Sequence, residues 1–141
     1  MAKTILVPMD GSEASEQALE YAIETYPEAA ITVLHVIDLP MPTVGELGSG
    51  ASRESAVQGT EQRAEEIADR ARAVASSTGF DGELEVTTSI GTPSRSIIDH
   101  AADVDAIVMG SHGRHGASRI LLGSVAETVV RRAPVPVTVV R

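Results

Sequence analysis

"DAIVMGSHGRHGASRILLGS", residues 105–124, decides how this chain is read. The apolar run Ala106 to Met109 ends at Gly110, and glycines follow at 113, 116 and 123 before a helical pattern begins. A β-branched run that passes through glycine-rich backbone into a helix is the βα connection of an α/β domain. Glycines there permit positive φ and remove Cβ atoms, so backbone N–H groups can approach an anion closely. A helix starting at Ser124 directs its unpaired N–H groups to the same place, and the combination suits phosphate. Charge points the same way. Arg114, Arg119, Arg131 and Arg132 against Glu127 give a local excess of positive charge in a molecule whose formal net charge is −9. The plain alternative is a flexible connection whose serine caps its own helix, with arginines on a solvated face.

Outward from that stretch, further β-branched runs at 4–9, 30–37, 83–90 and 135–140 join 105–110 to make five expected strands. Between them, Ala14, Ala18, Leu19, Ala22 and Ile23 recur at helical spacing, as do Val57, Ala64, Ile67, Ala68, Ala71 and Val74. Ile97, Ile98, Ala101 and Ala102 mark a shorter third helix, and Val125, Ala126, Val129 and Val130 a fourth. Thr92-Pro93 reads as a cap and first helical position, and Ser124 with Glu127 as a capping box. The alternation predicts a parallel sheet with helices on both faces, in one domain over residues 1–141. Residues 38–55, with two prolines and three glycines and no period, are expected to form a mobile connection and either a lid or a plain surface loop.

Composition narrows the function. An apolar content of 43% argues for a packed core, and no apolar run approaches the ~20 residues that cross a bilayer. With an opening of "MAKTILVPMDGS", which lacks a signal core, the expected location is the cytoplasm. No cysteine is present, which excludes disulfides, thiolate nucleophiles and Cys-based metal sites. Ten arginines and the single Lys3 stand against twenty acidic residues, which opposes general binding to nucleic acid or anionic membrane. Lacking both G-x-x-x-x-G-K-[ST] and a G-x-G-x-x-G after the first strand, the chain is disfavoured as a P-loop NTPase or dinucleotide oxidoreductase.

Gly110, two residues, Gly113, nine residues, then Gly123-Ser124 closely resembles the nucleotide-binding signature of the universal stress protein family, in its ATP-binding branch. The resemblance extends to "ILVPMDGSEAS" at 5–15, "VLHVID" at 33–38 and "GSVAETVVRRAPVPVTVVR" at 123–141. It implies a doubly wound sheet of strand order 3-2-1-4-5, with the ends of the first and fourth strands side by side. On that resemblance, Asp10 is the acid near the ribose, the backbone of Val36 reads the adenine edge, and Pro8 shapes the turn under the base. Met109 and Gly110 border the nucleoside, while Gly113, Gly123, Ser124 and Val125 supply phosphate contacts, with Arg114 close by. From local sequence alone, Asp10 is equally an Asx turn or a helix cap, and Val36 an ordinary core valine.

Magnesium entering with ATP needs phosphate oxygens and a carboxylate, for which Asp10 is the candidate. His112 and His115 are spaced for a metal, but no third ligand is evident in sequence, and His35 and His100 read as packing or surface residues. Arg114 or Arg119 could neutralise charge on a transferred phosphoryl group; nothing evident positions water, so hydrolysis is expected to be slow or absent. The resemblance then implies ATP as a ligand that sets conformation in a stress response. The alternative is an interaction or scaffold protein of the same fold, its cleft empty or holding another adenine nucleotide. The last strand carries Pro134 and Pro136, which suit a sheet edge, and an antiparallel pairing of that edge would make a homodimer, as the resemblance also implies.

Overall fold

The computed structural model describes residues 3–38, 50–112 and 122–141. Nine elements alternate along them: β1 (Thr4–Pro8), α1 (Glu13–Thr25), β2 (Ala30–Ile37), α2 (Gly50–Ser77), β3 (Leu84–Ile90), α3 (Pro93–Ala101), β4 (Ala106–Gly110), α4 (Ser124–Arg132) and β5 (Val137–Val140). The strands form one parallel sheet in the order β3-β2-β1-β4-β5. Right-handed crossovers explain the layering. The chain steps from β1 to β2 to β3 in one direction and from β4 to β5 in the other, so the helices of the two halves fall on opposite faces.

Two apolar cores result. Ile5, Val7, Ile31, Val33 and Val108 pack with Leu19, Ile23, Ile67 and Ala71 beneath α1 and α2. Leu6, Leu34, Ile107 and Met109 pack with Ile97, Ala101, Ala126 and Val129 beneath α3 and α4. Removing one of the fully buried leucines or isoleucines to alanine costs about 2–5 kcal/mol in such settings. Strand β1 is buried on both faces across Ile5, Leu6 and Val7. Polar bonds fix its ends. The Thr4 N–H donates to Asp105 Oδ2 at 2.7 Å, and the Asp105 N–H returns to the Thr4 carbonyl at 2.8 Å. At the other end, the Met9 N–H donates to the Leu34 carbonyl at 2.9 Å.

Several local expectations shift. Helix α2 begins at Gly50, ahead of its first apolar-periodic residue, so residues 50–55 are helical rather than part of the connection; 39–49 lie outside the described residues. Thr92 is the cap of α3 with Pro93 first in the helix, although the Thr92 side chain makes no capping bond. The fourth helix starts at Ser124, but its cap is Gly123, with φ −63° and ψ 156°, so Ser124 and Glu127 are not a capping box. Strand β5 lies at the sheet edge and starts at Val137, leaving both prolines ahead of it. No helix of the described residues is long and apolar enough to cross a membrane.

Candidate functional site

The reversal of strand order falls between β1 and β4, and there the sheet opens. β1 is registered with β2 from Thr4↔Ala30 to Pro8↔Leu34, and β4 with β5 from Ile107↔Val137 to Gly110↔Val140. Between β1 and β4 the register holds Ile5↔Ala106 and Leu6↔Ile107, although both strands run on. Pro8 gives the physical reason. In a strand, successive peptide groups face opposite edges; the Met9 N–H faces β2, so position 8 faces β4, and proline has no N–H to donate.

The same parity places two of the expected site residues. The Leu34 carbonyl faces β1, so the N–H and C=O of Val36, two residues on, face the space past the end of β1. From the other side, the Ser111 N–H donates to Val140 on β5, which turns the peptide groups of Gly110 towards the same space. Val36 and Gly110 are both half-buried there, and Met109 is buried in the α3/α4 core. Gly110 has a packing reason to be glycine. A Cβ built on it would lie 3.0 Å from the carbonyl carbon, the oxygen and the Cβ of Ala14 in the first turn of α1.

Asp10 sits at the rim. Its Oδ1 accepts the Ser12 N–H at 2.9 Å, the Asx turn among the alternatives read from sequence. Ser12, not Asp10, caps α1, its Oγ accepting the Ser15 N–H at 3.1 Å. Gly11 between them has φ +85°, a conformation that L-residues rarely adopt and achiral glycine adopts freely. Beneath the rim, buried His35 places Nδ1 3.2 Å from the Met9 carbonyl. The turn is also held from outside: Arg63 Nη2 donates to the Asp10 carbonyl at 3.2 Å and Arg70 Nη1 to the Gly11 carbonyl at 3.1 Å.

Helix α4 closes the arrangement. The Gly123 N–H donates to the Ser111 carbonyl at 2.6 Å, so this amide serves the loop rather than an incoming anion. Because the cap is glycine it offers no side chain to the first-turn amides, and the N–H groups of Ser124 and Val125 lie at the positive end of the helix dipole. Ser124 is exposed and Val125 half-buried. Gly113, Arg114, His115 and Arg119 lie outside the described residues. Arg131 and Arg132 do not join the site. They occupy the last turn of α4, roughly 10–12 Å along the axis from Ser124, and Arg131 pairs with Glu127 at 2.9 Å. Among the described residues, no group of three or more His, Asp or Glu side chains converges as for a metal.

The frame is thus a doubly wound α/β sheet whose central strand ends short of its neighbours, with the peptide groups of Val36 and Gly110 and a glycine-capped helix start around that end. The model of the universal stress protein family matches residues 1–141, and the chain belongs to that family. A universal stress protein of Methanocaldococcus jannaschii is 35% identical, the match covering 99% of this chain and 82% of that one. The solved universal stress protein UspA from Lactobacillus plantarum superposes with a TM-score of 0.81 at 27% identity, covering 99% of this chain and 97% of the other. More distant members share the fold. One was solved in complex with cAMP (TM-score 0.65, 22% identity, 99% and 97% covered), and one from Arabidopsis thaliana with AMP bound (0.68, 16%, 98% and 90%). One from Archaeoglobus fulgidus was solved in complex with dAMP (0.62, 23%, 100% and 98%).

Proposed function

We propose that this chain binds an adenine nucleotide, ATP foremost, in the crevice past the end of β1, and that the nucleotide acts as a regulatory ligand in a stress response. The observation that carries the reading is the facing of Val36 and Gly110 peptide groups across the end of β1, beside the first-turn amides of α4. Such peptide groups suit a base edge and a ribose, and the helix start suits phosphate. That relatives of the same fold were solved with AMP, dAMP and cAMP supports the adenine class. In this reading Asp10 approaches the ribose, Val36 the adenine, Pro8, Met109 and Gly110 the nucleoside, and Ser124 and Val125 the phosphates. Gly113 and Arg114 complete the phosphate loop, and Gly123 contributes as cap rather than as donor.

Magnesium would enter on the phosphates, where it neutralises charge. A carboxylate already holding Oδ1 on Ser12 fits it as a supporting ligand, not as a cage. The protein works in the cytoplasm as a homodimer paired through β5. Pro136 and Val140 turn their carbonyls to β4, so Val137 and Val139 present their peptide groups at the open edge, on a strand half-buried throughout. Isothermal titration with ATP, ADP and AMP, together with mass spectrometry of ligand released from gently purified protein, tests the reading; no heat and no released adenylate would end it.

One observation favours the second reading, an interaction protein whose cleft is empty or holds another adenylate. Gly110 is explained by its approach to Ala14, and the Gly123 amide is taken by Ser111, so one signature glycine and one signature amide have structural work without any ligand. The same released-ligand measurement separates the two.

A further inference from the structure

Arg63 and Arg70 are seven residues apart, two turns along one face of α2, and both reach the β1–α1 turn. They hold consecutive carbonyls, those of Asp10 and Gly11. Arg70 is the looser tie. Its side chain is 57% exposed, and the same Nη1 lies 3.2 Å from Glu16 Oε1. Arg63 is half-buried and lies over the turn itself, its Nη2 3.3 Å from where a Gly11 Cβ would stand.

The turn over Asp10 and Gly11, with the glycine at positive φ, has an easy alternative, a flip of the peptide between them, which would carry the Asp10 carbonyl away from Arg63 and change ψ of Asp10, on which the rotamer of its carboxylate depends. A charged donor on the Asp10 carbonyl opposes that rotation. We propose that Arg63 is a positioning residue for the ligand site: it acts through the Asp10 peptide and holds the carboxylate where a ribose would meet it. The proposal rests on the adenine-nucleotide reading. Direct contact of Arg63 with phosphate is the competing role, and the layering speaks against it. Arg63 lies on α2, on the α1/α2 face, whereas the first turn of α4 belongs to the opposite layer.

Calorimetric titration of wild type, Arg63→Met, Arg63→Lys and Arg70→Met with both ATP and adenosine decides between them. Amide exchange at Gly11 and Ser12 without nucleotide is measured in parallel. Arg63→Met is expected to weaken ATP and adenosine alike, by about tenfold, the usual worth of one charged hydrogen bond. Arg63→Lys, which keeps one donor in reach, should recover part of that loss, and Arg70→Met should cost less than Arg63→Met. In Arg63→Met, exchange at 11 and 12 should quicken by a similar factor. A loss confined to ATP would overturn positioning in favour of phosphate contact, and unchanged affinity for both ligands would overturn it outright. If wild type binds neither ligand, the nucleotide reading fails separately, and exchange then decides whether Arg63 holds the turn. Should Arg63→Met fail to fold, Arg63→Gln replaces it in each comparison.

Discussion

Replacing Gly110 by alanine asks whether that glycine serves the ligand or the packing. The new Cβ would stand 3.0 Å from three atoms of Ala14, two of them backbone, where ordinary contacts run from about 3.4 to 4 Å. Backbone cannot swing aside as a flexible side chain does, so α1 must retreat by roughly half an ångström. Overpacking of this kind costs about 1–3 kcal/mol. Gly110 is not among the positive-φ glycines, so no conformational strain adds to it. Alanine instead returns about 0.4–1 kcal/mol by narrowing the unfolded ensemble. The net expectation is a loss of ~1–2 kcal/mol, which for a domain of this size lowers the melting temperature by roughly 3–8 °C. Urea unfolding followed by circular dichroism should show a lower midpoint at unchanged slope. A variant as stable as wild type would refute the packing argument. If that variant had also lost adenylate binding, the glycine would belong to the ligand.

Gly11→Ala, forced to φ +85°, should destabilise by about 1–2 kcal/mol in the same urea assay, and Gly11→Asn by less, since asparagine tolerates the left-handed region. Ser12→Ala removes the cap that accepts the Ser15 N–H and should cost about 1 kcal/mol. Asp10→Ala should lose a comparable amount through the Asx turn and, on the proposed reading, weaken adenosine and ATP together, as calorimetry would show. Val139→Pro removes an N–H that faces the open edge of β5 while sparing those directed at β4. Sedimentation should then report a monomer with native circular dichroism, and a persisting dimer would move the interface elsewhere.

The alternation of β-branched runs and helical periods was enough to read the parallel sheet, because βα units can close in few ways. The strand order came from the family resemblance, and the sheet has that order. Edges were harder. Gly50 to Ala56 carry no apolar period, so the start of α2 left no trace in the pattern. The S-x-x-E motif at 124–127 suggested a capping box, but the bond from Gly123 to Ser111 makes Gly123 the extended residue, a tertiary constraint a local motif does not register. Counting arginines along 110–132 ignored that a helix carries its last turn away from its first, which is why Arg131 and Arg132 fell outside the site. Arg63 and Arg70 were invisible for the converse reason. In sequence they are charges on the polar side of a long helix, and only the right-handed crossover brings them to a turn more than fifty residues earlier.

A strand that is oily on both sides cannot tell one alignment from its neighbour by hydrophobicity, since slipping β1 by a residue would still bury aliphatic groups. What forbids the slip is the reciprocal clasp of Thr4 with Asp105 at one end and the Met9 bond to Leu34 at the other. Asp10 stands one step beyond that second anchor. The exposed carboxylate of Asp105, at the far pole of the molecule, is thereby the ruler against which the placement of Asp10 is measured.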